Sequence, residues 1–230
     1  VKRATSALAA AIIIAAGIAV ALYGISSDGN EGTLAAGPDC RPAVDVAAAL
    51  EPLMGGEIAA LIPASRPQNL SSLAFTDQLG EARTLGELSG QLKLVNLWAT
   101  WCAPCREEMP ALDALQAGLG GENFAVVPIN IDRTEPARPR QFLEEIGVAE
   151  LPLYTDRTMK IFNDMKAKGL AVGLPVTALI DGNGCLIAHM NGPAEWNSPD
   201  ARELIAAALR QTGLAGRQTT SPQNAATPQS

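Results

Sequence analysis

Apolar residues recur along this chain in two periods, and the places where one gives way to the other predict its elements. Ala43, Ala47, Leu50 and Met54 fall at helical spacing, which predicts a short amphipathic helix from Pro42 to about Met54. "PASRPQNL" (63–70) reads as a loop. From Leu73 the pattern alternates, and two short strands about Gly80 form a hairpin. "QLKLVNLWA" (91–99) and "FAVVPINID" (124–132) are continuous enough to be strands buried on both faces, with a helix from Pro104 to about Gly118 between them. Helices are also predicted over Pro139 to Ile146 and Met159 to Lys168; residues 153–156 are too few to assign. "PVTALID" and "CLIAHMN" flank the turn residues "DGNG" as a strand–turn–strand hairpin, and Pro199 to Arg210 is a final amphipathic helix. Strands alternating with helices, then a hairpin and a last helix, give one α/β layered domain over 65–213.

The ends of the chain read differently. Lys2 and Arg3 precede an uncharged run from Ala7 to Ile25, 19 residues long. As a helix it would span about 28 Å, close to a hydrocarbon core of about 30 Å. Positive charge before it holds that side in the cytoplasm. Residues 1–25 are therefore expected to anchor the chain in the cytoplasmic membrane by a single pass, with the rest in the periplasm. A cleaved signal peptide ending near Ala19-Val20-Ala21 is the alternative. Residues 26–64 are expected to be a linker followed by the short helix, and 214–230, with almost nothing apolar to bury, a disordered tail. The chain carries 17 Lys and Arg against 24 Asp and Glu, a net charge of −7 with no dense basic cluster, which argues against a nucleic-acid partner.

Two of the four cysteines lie three positions apart, in "LWATWCAPCREEMP" (97–110). Zinc binding, haem attachment and dithiol–disulfide exchange all use such a pair. Structural zinc needs four ligands, and a second such pair is absent, so no metal is assigned. Haem attachment needs His after the second cysteine, where Arg106 stands. Exchange fits the local pattern. A thiolate where a strand ends and a helix begins faces unpaired backbone N–H groups and the positive end of the helix dipole, which lowers the pKa of Cys102. Pro104 suits the first helical turn. Cys102 is then the nucleophile, and Cys105, one turn further in, resolves the mixed disulfide. The reaction needs no cofactor beyond the two sulfurs.

"VNLWATWCAPCREEMP", the approach "TLGELSGQLKLVNLWATWC", the helix proline Pro110, "GLPVTALID" and "DGNG" together resemble the thioredoxin superfamily, and within it the exported TlpA/ResA-like thiol–disulfide oxidoreductases, over about residues 70–210. The resemblance implies a thioredoxin fold: a central mixed sheet flanked by helices, here with an N-terminal hairpin and an extra N-terminal helix. It implies that Pro175 is cis beside the cysteine pair, and that the backbone of Leu174 pairs with an extended substrate segment. It places Trp101, Ala103 and Pro104 on the docking surface. Trp98 reads as core. Cytoplasmic thioredoxins carry a buried Asp where this chain has Asn96; the exported branch carries a Glu at the position of Glu108, implying a role in proton transfer, with a solvated helix glutamate as the alternative.

The resemblance further implies a monomer that reduces protein disulfides. Its substrates would be proteins of copper-site assembly in cytochrome oxidase or of cytochrome c assembly, with electrons from a DsbD/CcdA-type membrane donor. A general dithiol oxidant or isomerase and a non-catalytic Cu(I) carrier stay open as alternatives; a peroxiredoxin is disfavoured, because Ala99 stands where its Thr or Ser would be. Parity in an exported chain leaves Cys40 and Cys185 to form a second, structural disulfide.

Overall fold

The computed structural model describes residues 38–214 apart from residues 89 and 136; the expected anchor, most of the linker and nearly all of the tail lie outside the described residues. Helix α1 runs Arg41–Leu50, then a 3-10 turn Glu51–Leu53. The predicted helix reached Met54, but Pro52 has no N–H to give the carbonyl of Ala48, so the α-helical ladder closes at Leu50. Its buried residues, Ala43, Ala47 and Leu50, form one face that packs on β8 and against the C-terminal helix. The helix read from the sequence as an appendage before residue 65 is thus built into the same core.

Among the described residues eight strands form one sheet: β1 (Ile62–Pro63), β2 (Ala74–Thr76), β3 (Ala82–Thr84), β4 (Leu92–Trp98), β5 (Phe124–Asn130), β6 (Tyr154–Thr155), β7 (Val176–Ile180) and β8 (Leu186–Asn191). Their spatial order is β1-β8-β7-β4-β5-β6-β2-β3. β4 runs parallel to β5 and antiparallel to β7, so the sheet is mixed. Helices α2 (Ala103–Leu119), α3 (Ala137–Glu145), α4 (Lys160–Ala167) and α5 (Pro199–Gln211) complete the expected thioredoxin arrangement. The predicted hairpin about Gly80 is β2–β3, joined to the sheet where Thr76 pairs with Thr155. That bridge fixes β6, the segment too short to assign from its pattern. β1 is a strand within a stretch read as mostly loop; Ile62 and Pro63 pair with His189 and Ala188 at the edge, where a Pro costs no ladder bond. Among the described residues no helix is long and apolar enough to cross a membrane.

All seven residues of β4 are buried, as a central strand covered on both faces requires. One of them is Lys93, whose ammonium donates to the carbonyl of Gln91 at 2.8 Å. Burial lowers its pKa from 10.5 to about 8.

The turn between β7 and β8 is held by Asp181, whose Oδ1 accepts from the N–H groups of Asn183 and Cys185 at 2.9 and 2.8 Å. Gly184 sits at φ 80°, and a Cβ there would lie 2.8 Å from the Ser71 Cβ, so both the turn and the crossing loop require glycine. Beside it Cys185 is bonded to Cys40, with Cα atoms 5.2 Å apart and a sequence separation of 145. Both are buried, and the Asn69 Nδ2 lies 3.6 Å from the Cys40 sulfur. The bond ties the start of α1 to the sheet. Closing so long a loop restricts the unfolded chain by up to about 5 kcal/mol in the chain-entropy account, with about 2–4 kcal/mol usual. Replacing both cysteines by Ala should therefore lower the urea unfolding free energy by roughly that amount without changing the far-ultraviolet circular dichroism of the native state. A midpoint equal to that of the parent would show that the bond adds nothing. In the parent, mild dithiothreitol should expose two thiols in the folded state and four only after unfolding.

Candidate active site

β4 ends at Trp98 because its ladder ends there: Trp98 lies opposite Asn130 of β5, and Leu97 opposite Val176 of β7. Asp132, two residues beyond β5, reaches back across the gap. Its carboxylate accepts from the Thr100 hydroxyl at 2.7 Å and from the Thr100 N–H at 3.2 Å, pinning the turn that leads out of the strand. Cys102 follows as the N-cap of α2, in extended conformation, and its sulfur accepts from the N–H of Cys105 at 3.3 Å. One of the orphan N–H groups of the first turn is thereby aimed at the sulfur. Pro104 occupies the first turn. Pro110 removes a donor from the interior of α2, which still runs to Leu119.

Cys102 and Cys105 are joined in a disulfide, with Cα atoms 5.3 Å apart. They differ in access: Cys102 is 6% exposed and Cys105 is wholly buried. Trp101 is 65% exposed, Ala103 is exposed and Pro104 half-buried, so this side of the pair presents an open apolar surface. Trp98 is in the core, its ring tilted against Phe142 with centroids 5.9 Å apart. The ring of Phe142 also carries the Arg106 guanidinium, 5.1 Å from its centroid.

The Leu174–Pro175 peptide is cis. Because Leu97 pairs with Val176, Pro175 stands at the end of the sheet from which the cysteine pair projects. The loop before it is held by Asn191. That side chain accepts from the Val172 N–H at 2.9 Å and donates to the Leu170 carbonyl at 3.0 Å, while the Gly192 N–H donates to the Pro175 carbonyl at 2.9 Å. Leu174 is half-buried and Val172 is 82% exposed.

Glu108 lies one turn past Cys105 on α2 and is 3% exposed, which is not the position of a solvated helix glutamate. Its Oε1 accepts from the Asn96 side-chain amide at 2.8 Å; its Oε2 accepts from the Trp196 indole N–H at 3.0 Å and the Ala194 N–H at 3.2 Å. Burial raises its pKa from 4.5 to about 7, against the pull of these three donors. A shallow cleft lined by Glu57, Glu107, Pro193, Ala194 and Glu195 reaches it from solvent. Asn96, Trp196 and the loop at Ala194 were not among the residues read as functional. Asn96 carried a signal, as a polar residue inside an apolar strand; Trp196, about ninety positions from Glu108 in sequence, carried none. Among the described residues no three His, Cys, Asp or Glu side chains gather in a metal-holding group.

A family model described as Redoxin matches residues 60–205. The thiol:disulfide interchange protein HelX of Rhodobacter capsulatus is 38% identical over 104 residues, covering 45% of this chain and 54% of that protein. The thiol-disulfide oxidoreductase ResA of Bacillus thuringiensis is 30% identical over 122 residues, covering 53% and 66%. The chain thus spans between about a half and two thirds of the length of these curated relatives. A solved structure described as a thiol:disulfide interchange protein DsbE, from Chlorobium tepidum, matches with a TM-score of 0.54 at 26% identity, over 63% of this chain and 98% of that one.

Two outcomes follow from the geometry. In the reduced protein iodoacetamide should modify Cys102 before Cys105, with an apparent pKa below the free-thiol value of about 8.5; labelling of Cys105 first would reverse the roles. Glu108 keeps a proton in the folded oxidised protein that it loses in the unfolded chain between its ordinary pKa and about 7. The stability this confers is full below the unfolded pKa and is lost as pH rises through the folded one. Relative to Glu108→Gln, the parent should lose about 3 kcal/mol over that window. Parallel stability–pH curves for the two proteins would show that folding leaves the pKa of Glu108 unshifted.

Proposed function

The chain belongs to the Redoxin family, and on that premise we propose that it is a thiol–disulfide oxidoreductase that reduces specific protein disulfides on the exported side of the cytoplasmic membrane. The observation that carries this reading is Cys102 at the N-cap of α2, its sulfur facing a backbone N–H, with Cys105 buried one turn behind it. The names of the relatives, a thiol:disulfide interchange protein and a thiol-disulfide oxidoreductase, support it.

In the dithiol form the Cys102 thiolate attacks one sulfur of a substrate disulfide. A protein–substrate S–S bond forms and the substrate's own S–S bond breaks, releasing a thiolate. Cys105 then gives up its proton and attacks the Cys102 sulfur. The Cys102–Cys105 bond forms, the mixed disulfide breaks, and a second substrate thiolate leaves. Two electrons pass to the substrate, two protons complete its thiols, and no cofactor enters. Glu108, one turn from Cys105 and close to half-ionised at neutral pH, accepts the Cys105 proton in its carboxylate form. Leu174 offers backbone to an extended substrate segment, and Trp101, Ala103 and Pro104 form the surface that segment crosses.

The finer reading is that residues 1–25 anchor the protein, that its substrates belong to copper-site or cytochrome c assembly, and that a DsbD/CcdA-type transporter restores the dithiol. The apolar run from Ala7 to Ile25 and the resemblance of "VNLWATWCAPCREEMP" to the TlpA/ResA-like branch support it. Acid-trapped alkylation of cells should find the Cys102–Cys105 pair mostly as dithiol, and Cys105→Ala should accumulate mixed disulfides through Cys102. A pair found mainly oxidised, with trapped partners that carry their disulfides in the parent strain and lose them when this protein is absent, would make the protein an oxidant instead.

A further inference from the structure

The two oxygens of Glu108 are not equivalent. Oε2 is filled by two donors, the Trp196 indole and the Ala194 N–H, neither of which can turn into an acceptor. Oε1 meets one donor, the amide of Asn96. That amide is wholly buried, and its nitrogen also donates to the Thr177 hydroxyl at 2.9 Å, across the β4–β7 ladder in which the two residues are paired. Its oxygen, Oδ1, is buried with no hydrogen-bond partner. An arrangement that leaves a buried amide oxygen empty while its nitrogen holds two acceptors is half of a pair of states.

We propose that Asn96 is a proton-coupled toggle and Trp196 a positioning residue: a proton taken up by Glu108 resides on Oε1, and the Asn96 amide turns over to receive it. With Glu108 ionised, Nδ2 donates to Oε1 and to Thr177, as observed. With Oε1 protonated, the same orientation would set an O–H against an N–H. A half-turn about the last side-chain torsion exchanges Oδ1 for Nδ2. Oδ1 then accepts from the Glu108 O–H and from the Thr177 O–H, which is able to donate as well as accept. The hydrogen bonds of the trio are equal in number in the two states, and Oε2 keeps both donors throughout. Asn suits this place because an amide offers either polarity without a charge of its own; neither Asp nor Leu does both.

The charged and titratable groups facing Glu108 leave the toggle to these neutral partners. Cys105 and Glu107 share its helix, Glu195 comes from the loop beside Ala194, and Glu57 from the 3-10 turn Gly56–Ile58. Among the described residues no cation pairs with Glu108. Burial holds the proton and the three donors release it, so the carboxyl exchanges near neutrality.

The role rests on the proton transfer proposed above, but the test does not. In the oxidised parent, labelled with 15N at asparagine and 13C at glutamate, the Asn96 side-chain amide resonances should move with pH at the same midpoint as the Glu108 carboxyl carbon. They should stop moving in Glu108→Gln. Trp196→Phe, which removes one donor from Oε2, should raise that midpoint by about one pH unit, the scale of one hydrogen bond to a charge. In the reduced protein, the pH profile of thiol exchange should rise with it. Asn96 resonances that stay flat while the Glu108 carbon titrates overturn the toggle in the native protein, whether or not any variant folds. An unmoved midpoint in Trp196→Phe overturns the positioning role. If the resonances behave as expected and Glu108→Gln still exchanges disulfides with an unchanged profile, the toggle stands and the catalytic use of Glu108 falls.

Discussion

Cys102 reaches the start of α2 because β4 is the strand at the middle of the sheet, with neighbours on both sides that end where it ends. Seven consecutive buried residues fix its register against β5 and β7, and a one-residue slip would move every side chain to the opposite face. The strand therefore delivers its last residue, Trp98, to one place only. Asp132 takes the hydrogen bonds of Thr100 in the turn that follows, and α2 starts with its orphan N–H groups at the edge of the sheet. The reactive position is set by the ladder, and the chemistry of the sulfur by the helix.

The same junction explains the carboxyl beneath it. Glu108 faces inward because it shares the buried side of α2 with Cys105, Leu112 and Leu115. Burial alone would hold it neutral, and an isolated buried Glu reaches a pKa of about 8–9. Three donors from two separate parts of the chain, β4 and the loop before α5, pull the other way. The balance near neutrality belongs to neither effect by itself. It makes the loop at residues 194–196 part of the site, although it lies far from the cysteines in sequence.

What was legible in the sequence is what is local. The periods of the apolar residues in "QLKLVNLWA" and "FAVVPINID" marked the central strands, and Lys93 inside the first did not mislead, since its ammonium bonds to a backbone carbonyl rather than to water. The paired cysteines and the Pro104 turn were also readable, because each depends on neighbours within one or two helical turns; Glu108 was singled out only through the resemblance, with a solvated position left open. β1 and β6 were not. They have two residues each and exist because β8 gives β1 an edge, and β5 and β2 flank β6. The start of α4 shifted by one residue because Met159 adopts a left-handed conformation while Asp156 accepts from the Ile161 N–H at 2.7 Å. The donors that Trp196 and Ala194 bring to Glu108 were invisible for the reason that β1 was: both are created by the fold.

The two disulfides separate the roles a cysteine can play. Their Cα spacings, 5.2 and 5.3 Å, are nearly the same, so the reach of the bond does not distinguish them. Their surroundings do. Cys40 and Cys185 are buried together under the crossing loop at Asn69, 145 positions apart in sequence; Cys40 stands at the N-cap of α1, but its side chain makes no capping hydrogen bond to that helix. Opening that bond releases the start of α1 from the sheet. Cys102 and Cys105 close a loop of three, so opening their bond frees almost no chain. The Cys102 sulfur is then left facing the Cys105 N–H and the positive end of α2. The fold makes one pair costly to open and leaves the other almost nothing to lose, which is how a single chain can keep a structural disulfide beside one whose opening disturbs little.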